Sequence, residues 1–407
     1  MKNTMRMTPE GTRDLLFEEC LARRELAGRL TALFESRGFS EVMTPGIEFF
    51  DVFSDGAIPA EKMYKLTDSK GRLLVLRPDS TTPIARLAAT RLQSARLPLR
   101  LYYAQDVFRS NHGLTGRSDI AFQAGVELIG VGGERADLEV IALAAESLAR
   151  CSAADYKLEI GHVGFFEGLL HDLGGDPETC GRLRSQIEMK NYAALSALLD
   201  SLPPGRTVDA VRRLPRLFGG EEVLEEAKSL VKGNEQAAAA LASLSRIYRQ
   251  LREIGLERQV MVDLGLLHPN EYYTGVIFRG YAEGSAQGRG ETVMSGGRYD
   301  ALQRQFGSSL PATGFAVEID PLTKAMLAQN GVKPPAQPQI LVHAAENATA
   351  AGLRKVAELT AAVGIAEFSV FDTLEEALAY AAGRDITTVI ALDRDTVTTY
   401  INGRAES

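Results

Sequence analysis

A chain of 407 residues that is 45% hydrophobic can bury one large core and supply at least one further domain. Its formal net charge of -8 sets the molecule as a whole against phosphate backbones, so only a local basic patch would serve nucleic acid. No run of eighteen or more apolar residues occurs and MKNTMRMTPEGTRDLL has no apolar stretch before a small-residue cleavage site; neither a membrane span nor secretion is predicted, and the cytoplasm is the expected compartment.

In chain order, the apolar spacing of CLARRELAGRLTALFESRGF (20–39) predicts an amphipathic helix ended by Gly38, after which SEVMTPGIEFFDVF turns extended. Strands are expected at 72–78, 98–110 and 119–131, joined by short turns that suggest antiparallel pairing, with helices at 81–94 and 136–151 between them. DYKLEIGHVGFFEGLLHDLG reads as a strand followed by a helix. From about 176 to 256 helix formers dominate, interrupted by PPGR and FGGE turns, which predicts a helical insertion. Strand patterns resume at QVMVDLGLL, EYYTGVIFRGYAE and ETVMSGGRYDALQRQF, the last a strand, a glycine turn and a helix. Without regular βαβ alternation the class is α+β, with a core domain over 1–330, a Pro-rich linker at 331–338 and a small α/β domain over 339–407. Residues 336–407 hold five Lys or Arg against ten Asp or Glu, a poor footprint for gripping RNA.

Cys20, Cys151 and Cys180 are widely spaced and form no CxxC, which argues against a disulfide framework or a cysteine zinc site and suggests small buried hydrophobes. His112, His162, His171, His268 and His343 show neither HxH nor HExxH spacing, so no metal and no cofactor are expected.

Polar groups on strand-like segments are the candidates for binding. Gln123, Gly125 and Glu127 share one strand face, which is either solvated or lines a pocket; composition alone favours the solvated face because Gln and Glu are mostly exposed. Arg109 is by residue type a surface cation more often than a carboxylate clamp, although its guanidinium would suit a ligand carboxylate. Tyr272 and Tyr273, read on a strand, point to opposite faces, so one joins the Gln123 side and the other packs in the core. GGRYD and VGGERAD are weak as phosphate signals.

Together these segments resemble the class II aminoacyl-tRNA synthetase core, specifically histidyl-tRNA synthetases, over roughly residues 8–325. PEGTRDLL is similar to that family's N-terminal motif, GFSEVMTPGIE with Pro45 to its dimer-forming motif 1, VFRSN to motif 2, and YYTGVIF and GGRYD to its histidine-binding segments. The resemblance implies an antiparallel sheet flanked by helices, a C-terminal shortened anticodon-binding-like domain, and a histidine pocket on Asp79, Thr81, Arg109, Gln123, Glu127, Tyr272, Tyr273 and Tyr299. Carboxylates would take the ammonium and an imidazole N–H, Arg109 the α-carboxylate, and a tyrosine hydroxyl the second ring nitrogen. Asp79 is one methylene shorter than the family's glutamate.

The departures cluster at the ATP end. Asn111 stands where motif 2 has an adenine-holding glutamate; His268, followed by Pro269, replaces the arginine that assists attack at the α-phosphate; in motif 3, Glu318 stands for a glycine and Pro321 for the ATP-binding arginine. Loss of one transition-state contact of this kind typically costs about 100- to 1,000-fold in rate. With RPDSTTPIAR, QAGVELIG and PATGFA, this pattern is similar to the ATP phosphoribosyltransferase regulatory subunits, paralogues of the synthetases. That resemblance implies no catalysis by this chain, and a short-form catalytic partner that joins ATP to phosphoribosyl pyrophosphate in the first step of histidine biosynthesis. It also implies L-histidine as effector, a self-dimer within a hetero-octamer, and no tRNA. An active histidyl-tRNA synthetase is the alternative, which Asn111, His268 and Pro321 predict to fail.

Overall fold

The computed structural model describes residues 4–53, 58–111, 118–151, 155–174, 176–267, 272–282, 291–329, 338–394 and 396–406. His268 to Glu271, His112 and all but the last residue of the expected linker lie outside the described residues. The chain divides into two compact units, Met1–Val332 and Lys333–Ser407. No described helix is long and apolar enough to cross a membrane.

Unit 1 begins with α1 (Phe17–Ser36), whose apolar positions recur every three or four residues and bury Ala22, Leu26, Leu30, Leu33 and Phe34. Gly38 follows at φ +79°, a left-handed turn that favours glycine and stops the helix. Next come β1 (Ser40–Glu41), β2 (Ile47–Phe49), β3 (Lys65–Thr67), β4 (Leu73–Leu76), α2 (Thr81–Thr90), β5 (Leu99–Phe108), β6 (Ile120–Ile129), α3 (Glu134–Cys151), β7 (Tyr156–His162) and α4 (Val163–Leu173). The segment that follows carries α5 (Pro177–Glu188), α6 (Tyr192–Asp200), α7 (Arg206–Arg213), the short strand β8 (Phe218–Gly219), α8 (Glu221–Leu230) and α9 (Glu235–Glu253). Asp176 caps α5, accepting from Thr179 N at 2.9 Å ahead of a proline in the first turn. The unit closes with β9 (Val260–Asp263), β10 (Val276–Ala282), β11 (Glu291–Arg298), β12 (Ala312–Glu318) and α10 (Ile319–Ala328).

Among the described residues nine strands form one sheet in the order β1-β5-β6-β12-β11-β10-β7-β9-β8, antiparallel from β5 through to β7, with β2, β4 and β3 in a small separate sheet. One face of the large sheet packs Ala124, Val126 and Leu128 of β6 together with α1, α3 and α9. The opposite face carries a second apolar cluster, with Ile84 and Ala85 of α2, Tyr103, Tyr273, Ile277, Tyr299 and Leu302.

Several expectations are corrected. The stretch after Gly38 is strand only at β1 and β2, followed by a 3-10 turn at Phe50–Phe53. Tyr272 and Tyr273 lie in the turn before β10, not on a strand. The segment after GGRYD is a 3-10 turn, Leu302–Phe306, ended by Gly307 at φ +76°. The insertion is not wholly helical, since β8 pairs with β9 at the sheet edge. Of the three cysteines, Cys151 is buried, Cys180 partly so, and Cys20 is exposed.

Unit 2 contains β13 (Ile340–Ala344), α11 (Thr349–Val363), β14 (Glu367–Phe368), α12 (Leu374–Gly383), β15 (Thr388–Asp393), β16 (Thr396–Ile401) and β17 (Arg404–Ala405). Its strands are ordered β14-β13-β15-β16-β17, the first three parallel and the rest antiparallel. Thr373 and Glu376 cap α12 reciprocally. The hairpin β16–β17 turns at Asn402-Gly403, both at positive φ, a turn signal that the sequence reading passed over.

Candidate functional site: a buried carboxyl beneath three tyrosines

The two-residue alternation of β6 turns Gln123, Gly125 and Glu127 away from the α1 side. In register beside them stand Leu101, Tyr103 and Gln105 on β5 and Gly314, Ala316 and Glu318 on β12. This face is not solvated: Glu127 is 1% exposed and Gln123 3%. The general exposure of Gln and Glu is overridden because α2 and the tyrosine-bearing turns cover the strand.

Glu127 is the centre of the arrangement. It accepts a hydrogen bond from Thr81 Oγ1 at 2.7 Å and another from the Tyr299 hydroxyl. Burial pushes its carboxyl up to about 8; the bonds from Tyr299 and Thr81 oppose the rise, and the charge of Asp79 adds to it. Burial likewise raises the phenols of Tyr103, Tyr273 and Tyr299, so each remains a neutral hydroxyl at physiological pH.

Tyr272, Tyr273 and Tyr299 form one aromatic cluster, their ring centroids 4.8 Å (272–273), 5.7 Å (272–299) and 6.3 Å (273–299) apart. The expectation that only one of the adjacent tyrosines would join this side is therefore overturned: a turn, unlike a strand, lets both rings lie together. Close packing needs bare backbone here. A Cβ at Gly297 would meet Tyr273 ring carbons at 2.8 and 2.9 Å, and one at Gly125 would meet Tyr103 Oη at 2.6 Å.

Asp79 reads as a cap. It accepts from Thr81 N at 3.2 Å, Thr82 N at 2.8 Å and Thr82 Oγ1 at 2.5 Å, satisfying the first turn of α2. The shorter side chain keeps its carboxylate close to its own backbone.

At the other end of the β6 face, Gln123 Nε2 donates to Glu318 Oε1 at 2.6 Å, and Arg109 Nη1 lies 3.8 Å from the same oxygen. Arg109 Nε donates to Pro78 O at 2.7 Å. Asn111 is occupied in its own loop, donating through Nδ2 to Arg109 O at 3.2 Å and Ser118 O at 2.8 Å. Pro321 falls in the first turn of α10, where a missing N–H costs nothing. Thus Asp79, Thr81, Glu127 and the tyrosines gather at one end, and Arg109, Gln123 and Glu318 at the other, while His268 lies outside the described residues.

The sequence reading missed the supports. Arg298 Nε donates to Asp137 Oδ2 at 3.1 Å, with Nη2 2.8 Å from Oδ1 as an ion-pair contact; both side chains are buried, and Arg298 Nη1 also donates to Asp300 at 3.0 Å. This pair fixes the turn that carries Tyr299. Gln105 Nε2 donates to Ser80 Oγ at 3.0 Å and Thr44 Oγ1 at 3.2 Å, and Arg77 Nη1 donates to Thr44 O at 2.6 Å, tying the start of α2 to the segment around Pro45. Arg298 lies inside GGRYD, so its neighbourhood was legible, but Asp137 lies 161 residues away and carries no local signal. Among the described residues no group of three or more His, Cys, Asp or Glu is placed to hold a metal ion.

The family model described as histidyl-tRNA synthetase matches residues 11–322. An ATP phosphoribosyltransferase regulatory subunit of Clostridium kluyveri is 38% identical over 392 residues, 95% of this chain and 99% of that protein. The crystal structure of an ATP phosphoribosyltransferase regulatory subunit/histidyl-tRNA synthetase from Bacillus halodurans is 32% identical, with a TM-score of 0.83 over 94% of this chain and 97% of that one. A histidyl-tRNA synthetase from Nostoc, 20% identical with a TM-score of 0.75 over 98% of this chain and 96% of that one, shares the fold. The 38% identity to the Clostridium kluyveri regulatory subunit over nearly the full length of both chains and this synthetase-like architecture agree, and the chain belongs to the ATP phosphoribosyltransferase regulatory subunits, built on the class II histidyl-tRNA synthetase fold.

Proposed function

We propose that this regulatory subunit is a histidine sensor that assembles with an ATP phosphoribosyltransferase catalytic subunit and has no aminoacylation activity of its own. The observation that carries the reading is the division of the β6 face. One end keeps a buried carboxyl and three tyrosines suited to an imidazole; at the other, Glu318 has placed a carboxylate within 3.8 Å of Arg109. A ring N–H can donate to Glu127, and a tyrosine hydroxyl can serve the second ring nitrogen. A triphosphate would instead meet Glu318, with Pro321 and Asn111 supplying neither cation nor free carboxylate.

Sensing needs only differential affinity. If L-histidine binds this pocket more tightly in a less active state of the complex, a coupling of ~1–3 kcal/mol gives about 5- to 150-fold inhibition. Assembly as a self-dimer within a hetero-octamer of regulatory and catalytic subunits is the expected setting for such coupling. The test is feedback inhibition of the reconstituted complex. Glu127→Ala should raise the inhibitory histidine concentration at least tenfold while activity without histidine persists; unchanged inhibition would place the sensor elsewhere. ATP–pyrophosphate exchange driven by histidine should be absent from the purified chain, and robust exchange would restore the synthetase alternative.

A further inference from the structure

A pocket for a free amino acid must receive an ammonium as well as a carboxylate, and two of the residues that the synthetase resemblance places in the pocket, Asp79 and Thr81, are turned inward. All three bonds accepted by Asp79 come from the first turn of α2, and Thr81 Oγ1 is directed to Glu127 at 2.7 Å. The chain offers a different carboxylate. Glu318 sits on β12 directly across from Gln123, takes Gln123 Nε2 at 2.6 Å and lies 3.8 Å from Arg109 Nη1.

Register sets the scale. Gln123 and Glu127 are four residues apart on the same strand face, about 13 Å along β6, with Gly125 between them and the Tyr103 hydroxyl packed over it. A molecule whose ring faces Glu127 and which extends along β6 turns its charged end toward Arg109 and Glu318. A cation and an anion side by side complement a zwitterion, with Arg109 for the carboxylate and Glu318 for the ammonium, and a carboxylate accepts several donors at once.

Resting on the histidine-sensor reading above, we propose that Glu318 is the ammonium-recognising residue of this site.

The experiment is calorimetric titration of the full chain, wild type and Glu318→Gln, with L-histidine, with 3-(imidazol-4-yl)propionate, which lacks the ammonium, and with histamine, which lacks the carboxylate. Glutamine keeps the size and the hydrogen bond to Gln123 but removes the charge. The proposal expects Glu318→Gln to weaken L-histidine and histamine at least tenfold and to leave the propionate unchanged or tighter. If the variant binds L-histidine and the propionate more tightly and leaves histamine unaffected, Glu318 merely opposes the carboxylate and the proposal is overturned. Equal weakening of all three ligands would mark a structural role and overturn it as well. Wild-type binding of L-histidine that is indifferent to Glu318→Gln sinks this proposal alone; absence of wild-type binding sinks the sensor reading and this one with it.

Discussion

Replacing Glu127 by glutamine should change how stability depends on pH, in a direction that follows from burial. In the folded chain the Glu127 carboxyl is pushed from its ordinary 4.5 up to about 8. Because the folded value lies above the unfolded one, its contribution to stability is fully present below about 4.5 and is lost as pH rises through about 8. The whole span is about 5 kcal/mol at ~1.4 kcal/mol per pKa unit. Between pH 6 and pH 9, where the unfolded carboxyl is ionised throughout and the folded one titrates, wild type loses roughly 2–3 kcal/mol. Glutamine is isosteric with the protonated acid and can still accept from one hydroxyl and donate to the other, Thr81 and Tyr299 being its partners. Urea unfolding of both proteins at pH 6 and pH 9, followed through unit 1, should show the variant gaining roughly 2–3 kcal/mol on wild type across that range. A difference that does not change with pH would mean that Glu127 is ionised in the folded chain at neutral pH, and the reasoning would fail.

Affinity for L-histidine should itself peak between about 6.5, where free imidazole titrates, and about 8, where Glu127 does. In that window neutral imidazole and protonated carboxyl can form an ion pair without net proton exchange; calorimetry in two buffers of different ionisation enthalpy should find no net proton uptake there and about tenfold weaker binding per pH unit outside it. Asp137→Asn leaves the buried Arg298 cation with only the more exposed Asp300 as counter-charge and should destabilise unit 1 by about 2–4 kcal/mol in urea unfolding, whereas Asp137→Leu with Arg298→Met should recover most of that loss. Gly314→Ala puts a methyl group against the Glu127 carboxyl and the Val126 carbonyl oxygen and 3.0 Å from Tyr299 Oη, so it should abolish histidine binding in calorimetry at a stability cost of about 3 kcal/mol or more.

Much of this fold was legible because hydrophobic period and turn chemistry agree. The helix ended by Gly38, the paired strands β5 and β6 and the strand-then-helix of β7 and α4 were all readable for that reason. Strand β12 was recognised only through its motif: Ala312, Gly314 and Ala316 are small and weakly strand-forming, yet the sheet places them centrally because their missing side chains let Glu127 and the tyrosines fit. The burial of Gln123 and Glu127 could not be read from residue type, since it depends on α2 and on turns far away in sequence. Tyr272 and Tyr273 were misassigned because alternation was extended through a turn. Asp79 carried a local signal that went unread, an aspartate followed closely by two threonines at a helix start, which is a capping pattern.

The most direct test of the sensor reading is calorimetric titration of the full chain with L-histidine, in the absence and presence of ATP. Saturable binding that ATP leaves unchanged is the predicted result. Binding that strengthens markedly with ATP, accompanied by release of pyrophosphate, would show that the adenylation chemistry survives despite Glu318, Asn111 and Pro321, and would contradict the account.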